Sequence, residues 1–168
     1  MKNSLIAAGM IICALSCNTG EDNTKLSDDR NETPTTIFFN ITRMDGKENR
    51  PSLSIEYRKK QNQPGPRVVE LYVKYSAEIE LVSYATGTAT ADGKKELIVQ
   101  KVEVGLLRII IYSSNNTNQL NSGSLVSLVF NKISGGSARF EMLVDKPIFA
   151  PPEANNGLII GDPITVRF

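Results

Sequence analysis

The chain has 168 residues, 40% of them hydrophobic, with a formal charge of +1 and two cysteines. That suits one domain with a sizeable core, and shows neither the basic surplus of a nucleic-acid binder nor the acidic surplus of a cation store. Histidine and tryptophan are absent, which excludes Ser-His-Asp and Cys-His catalysis, HExxH metal sites and the tryptophan platform that commonly stacks sugars.

Lys2 precedes an apolar run from Leu5 to Leu15, which ends in Ala14-Leu15-Ser16-Cys17 before the chain turns polar at Asn18. A charged start, a short apolar core and an abrupt polar onset form an export signal over residues 1–16, too short for a spanning helix. Cys17, following the small Ser16, resembles the acylated cysteine of a bacterial lipobox, with Ala14 where the box usually has leucine. An ordinary secretory signal is the competing reading. Cys13 is a poorer acceptor because the bulky Ile12 precedes it. Cleavage before Cys17 removes Lys2 and leaves 18 basic against 18 acidic side chains, from 19 and 18 at the start. It also leaves one cysteine, so no disulfide can form. The expected location is an exported, lipid-anchored position at a bacterial cell envelope. Asn18, rather than Asp, after the cysteine resembles outer-membrane sorting if the cell is didermic.

Residues 17–35 hold the lipidated cysteine and a polar stretch without apolar periodicity, which reads as a flexible tether. From Thr36 the pattern turns to β. Thr36–Thr42 is β-branched and aromatic. Ser52–Arg58 alternates, with Leu53, Ile55 and Tyr57 on one face. Arg67–Tyr75 sets Val69, Leu71, Val73 and Tyr75 against Glu70, Tyr72 and Lys74. Ile79–Tyr84 continues as a strand, and a loop over Gly87–Lys95 carries the turn signal Asp92-Gly93. Leu97–Val104 and Leu106–Tyr112 flank Gly105 as a hairpin, and Ser113–Ser122 is a polar connection. Leu125–Phe130, Ala138–Val144 and Ile159–Phe168 complete nine short strands, with a Pro- and Asn-rich loop over Pro147–Gly157 that cannot be a central strand. Many strands, regular turns and no helical period predict an all-β antiparallel sandwich over residues 36–168.

Val68–Tyr75 (VVELYVKY), the following Ser76–Tyr84 with Gly87, the stretch Ser122–Phe130 (SGSLVSLVF) and the closing Gly161–Val166 (GDPITV) resemble the core of cohesin domains. The resemblance covers about Thr36 to Phe168. It implies a nine-stranded jelly-roll β-sandwich, non-catalytic, that binds a dockerin partner through the outer face of its third, fifth, sixth and eighth strands. On that topology the third strand shows Glu70, Tyr72 and Lys74, the sixth shows Arg108, Ile110 and Tyr112, and the eighth shows Arg139 and Glu141. Tyrosine and arginine are enriched where protein interfaces concentrate their energy. The same side chains also suit a solvated sheet face. A polysaccharide stacked on Tyr72 and Tyr112 is the rival ligand.

No other constellation carries chemistry. The run Arg58-Lys59-Lys60 reads as a solvated loop. Asp92, Asp145 and Asp162 lie in loops without EF-hand spacing, so no metal ligand is assigned. The Asn-x-Thr acceptors at Asn31, Asn40 and Asn115 are incidental in a bacterial lipoprotein. No spacing singles out a catalytic pair among Glu78, Glu80, Glu103 and Glu141, so no enzyme activity and no cofactor is expected. The partners expected are a membrane, through Cys17, and either a protein or a polysaccharide, with no nucleic acid.

Overall fold

A computed structural model describes residues 33–43, 50–91, 94–113, 115, 118–143, 145, 148–151 and 157–168. The export signal, Cys17, the tether up to residue 32 and the Asp92-Gly93 turn lie outside the described residues. Thr35, assigned to the tether, is nevertheless buried: its hydroxyl donates to Gln63 at 3.3 Å and accepts from the Lys60 amide at 3.0 Å.

Among the described residues, eleven strands build the body. They are β1 (Thr36–Arg43), β2 (Ser52–Arg58), β3 (Val68–Tyr75), β4 (Ile79–Thr86), β5 (Lys95–Glu103), β6 (Leu106–Ser113), β7 (Gly123–Lys132), β8 (Ser137–Met142), β9 (Ile148–Ala150), β10 (Ile159–Ile160) and β11 (Ile164–Arg167). The first sheet runs β10-β1-β2-β7-β4 and the second β11-β8-β3-β6-β5, with β9 also paired to β3. All pairs are antiparallel except β1 with β10.

The expected nine strands become eleven for two reasons. The Pro-rich loop hides β9, whose Phe149 is 1% exposed and pairs with Val69. Burial of one aromatic ring, together with pairing to the first three residues of β3, outweighs the poor strand composition around it. The last predicted strand divides at Gly161-Asp162-Pro163. Pro163 has no amide to donate to a ladder, so the chain leaves β1 after β10 and joins β8 as β11 in the other sheet.

Alternation explains the core. On β2, β3 and β6 every second residue is buried, including Leu53, Ile55, Tyr57, Val69, Leu71, Val73, Leu107, Ile109 and Ile111. Four rings cross the layers in relay: Phe39 of β1 meets Phe140 of β8 at 6.2 Å, Phe140 meets Phe130 of β7 at 5.2 Å, and Phe130 meets Tyr75 of β3 at 5.4 Å. Consecutive members belong to opposite sheets, so the relay fixes how the layers sit on each other. Tyr57 and Phe149 make a separate cross-layer contact at 6.0 Å. The polar connection after β6 is not wholly external: Leu120 is fully buried and its amide donates to the Pro66 carbonyl at 2.8 Å.

Both sheets end in a bulged strand on the same flank. β4 carries an extra residue between Leu81 and Ser83, and β5 one between Lys101 and Glu103. The inserted residues, Val82 and Val102, are about half exposed. A bulge bends an outer strand away from further pairing, and Lys101, bridged to Glu80 at 4.0 Å, adds charge there.

Candidate functional site

The outer face of the second sheet carries all eight residues that the sequence singled out for binding. Central strands β3 and β6 pair so that Glu70 faces Ile110, Tyr72 faces Arg108, and Lys74 faces Leu106. β8 adds Glu141 opposite Lys74, with Arg139 two residues along. Their inward neighbours Leu71, Val73, Leu107, Ile109, Ile111, Phe140 and Met142 are buried. Period-2 geometry forces this separation, because the same backbone that buries one set must present the other.

At the centre is a hydrogen-bonded triad. Arg108 Nε donates to Glu70 Oε1 at 2.7 Å, and the Tyr72 hydroxyl donates to the same oxygen at 2.9 Å. The Glu70 side chain is 15% exposed and that of Arg108 36%. The Arg108 hydrogen bond holds the Glu70 carboxyl below its ordinary value, against the opposing effect of burial, and Tyr72 helps. Reciprocally, the bond to Glu70 raises Arg108 and Tyr72 above theirs. Tyr112, one residue pair from this triad, donates to Glu96 of β5 and is raised by that bond. Arg139 and Glu141 make a looser bridge at 3.8 Å on the β8 side.

The fifth strand contributes residues that the sequence reading did not single out. Ile98 faces Ile110 and Gln100 faces Arg108, so both stand outward beside the triad. Ile98 is 43% exposed, and Val104 at the β5–β6 turn is 78% exposed. Ile98 and Ile110 therefore form an apolar border at one end of the triad, while Lys74, Glu141 and Arg139 form a charged border at the other, with Leu106, Val104 and Glu103 beside Lys74. Gly105 makes the intervening turn with φ of 81°, and a β-carbon there would sit 2.7 Å from the Tyr75 carbonyl oxygen.

Two recesses of about 180 and 270 Å³ flank Lys74 and Tyr75, one against Ser76, Arg139 and Glu141, the other against Glu103, Val104, Gly105, Leu106 and Leu143. Both fall below the roughly 300–1,000 Å³ of small-molecule pockets. Among the described residues, no group of three or more potential ligands comes together to hold a metal ion.

The sequence matches no family model and no curated protein. The fold does match solved structures. A non-cellulosomal cohesin from the archaeon Archaeoglobus fulgidus aligns with a TM-score of 0.58 at 16% identity, over 80% of this chain and 91% of that one. A type II cohesin domain from the cellulosome of Acetivibrio cellulolyticus aligns with a TM-score of 0.61 at 11% identity, over 80% and 95%. The sixth cohesin of that organism's scaffoldin B, solved in complex with a Cel5 dockerin, aligns with a TM-score of 0.57 at 16% identity, over 70% and 86%. These likenesses establish a cohesin-like jelly-roll β-sandwich as the class of fold.

Proposed function

We propose that this protein is a non-catalytic docking module of a bacterial cell envelope, anchored through lipid on Cys17 and binding a protein partner on the outer face of β8-β3-β6-β5. One observation carries the reading: a guanidinium oriented by an ion pair stands on an open sheet face between an apolar and a charged border. Exposed apolar side chains gathered around a fixed arginine and two tyrosines make the composition of an interface centre. Cohesins of the same fold have been solved with dockerins, which supports a polypeptide as the ligand class.

The test compares two surfaces. Protein captured from envelope extract by the wild-type chain is expected to be lost with Arg108→Glu and retained with Asn40→Glu, an exposed change on the opposite sheet. Capture indifferent to Arg108→Glu would overturn the docking face. Binding on a glycan array that Tyr72→Ala abolishes would replace the protein partner with a polysaccharide. For the anchor, Cys17→Ala is expected to release the protein from the membrane fraction and end incorporation of labelled fatty acid; retention of both would refute lipidation there.

A further inference from the structure

Resting on that docking face, we infer that Arg108 is the specificity anchor and that the partner meets it with a carboxylate set among apolar side chains. A guanidinium has five N–H donors. Glu70 Oε1 takes only the Nε–H, and it also accepts from Tyr72. Glu70 thus orients the guanidinium, which also shares a side-chain hydrogen bond with Tyr72, and the remaining donors of its five are left for a partner. Around Arg108 on this face stand Leu106 and Ile110 on its own strand and Gln100 across β5. Among the described residues, Glu70 is the one carboxylate in ion-pair contact with it.

Covering such a group with a partner removes water from the terminal N–H donors, and leaving them without acceptors is costly. A carboxylate matches the fork with two parallel bonds, which neither a hydroxyl nor a single carbonyl can do. Arg108, Lys74 and Arg139 share this face with Glu70, Glu141, Glu96 and Glu103, so the orientation of the Arg108 fork, and not a surplus of positive charge, selects the acid. Lys74 lies diagonal to Arg108 across the β3–β6 pair and makes no salt bridge among the described residues. The apolar border fixes the rest of the requirement: the acid must be flanked by side chains that cover Ile98 and Ile110.

A displayed library of three-helix scaffolds with randomised surface positions tests this without knowledge of the natural partner. Binders are selected on the wild-type protein and sorted by competition with Ile98→Arg, which marks those on this face. They are expected to be enriched in Asp or Glu over the starting pool. Their affinity is expected to fall at least tenfold with Arg108→Met and measurably with Arg108→Lys, which keeps the charge but not the fork. Changing the binder's acid to its amide should produce the same loss, with no further loss on Arg108→Met. Circular-dichroism melts of both variants establish that they fold. Face-directed binders with no acidic enrichment, or unaffected by Arg108→Met, would overturn the carboxylate anchor and leave the docking face standing. Absence of any binder sensitive to Ile98→Arg would overturn both.

Discussion

Phe140→Ala is the sharpest probe of what holds the docking sheet in place. Phe140 is fully buried on β8 and touches Phe130 at 5.2 Å and Phe39 at 6.2 Å, both on the other sheet. A buried phenylalanine removes at least about 150 Å² from water, worth about 4 kcal/mol at 25 cal/mol per Å². Part of that area stays covered in alanine, but the lost ring contacts and the residual cavity offset the difference, and Phe→Ala costs fall at about 3–5 kcal/mol. Unfolding entropy near about 2.1 cal/mol/K per residue, over a unit of about 135 residues, comes to about 0.28 kcal/mol/K. A loss of about 4 kcal/mol then lowers Tm by about 14 °C. The assay is a calorimetric melt beside Ile133→Ala, an exposed control at 62% that should move Tm by under about 2 °C. A Phe140→Ala drop below about 5 °C would refute the claim that the ring relay locks the layers, because the site would have to collapse without residual cavity.

Three further outcomes are expected. Glu70 has its carboxyl held below 4.5, mainly by Arg108, so its stabilising effect is complete above that pH and fades as pH falls through the depressed value. The Tm gap between wild type and Glu70→Gln should therefore shrink from neutral pH to about pH 3; an unchanged gap would contradict it. Burial raises the Tyr57 hydroxyl from 10.0 to about 12, so its contribution, on the order of 2–3 kcal/mol, is present below pH 10 and lost as pH rises toward 12. Alkaline melts should show Tyr57→Phe losing less stability than wild type over that window, and parallel curves would refute it. A β-carbon on Gly65 would lie 1.8 Å from the Leu120 carbonyl oxygen, so Gly65→Ala must displace the buried Leu120 segment. Urea denaturation should show a loss above about 2 kcal/mol, and a change within about 0.5 kcal/mol would show that the two segments are not packed as described.

Strict alternation made β2, β3 and β6 legible, and with them the outward set from Glu70 to Tyr112. Bulges were not legible, because no residue type marks them. Counting back from the Gly105 turn in an unbroken hairpin would set Val99 opposite Ile110. The extra residue at Val102 moves Ile98 there instead and turns Val99 inward. A single inserted residue thus reverses every later position, and the apolar run Leu97-Ile98-Val99 gave no alternation to correct it. The same effect at Val82 places Tyr84 opposite the inward-facing Leu128. β9 and β10 escaped for another reason: at three and two residues they are too short to show a period, and long-range pairing alone defines them. The triad at Glu70, Tyr72 and Arg108 depends on register between strands 38 residues apart, which spacing along the chain does not encode.

The pairing of β1 with β2 on one side and with β10 on the other bears on mechanical load. A pull at Thr36 directed along β1 meets the ladder to β2, matched from Thr36–Arg58 to Arg43–Ser52, side-on and all at once. Its rungs must fail together in shear rather than open singly from one end. The leading strand of the body is thus its grip, and a force along that axis meets the stiffest connection that hydrogen-bonded strands can offer.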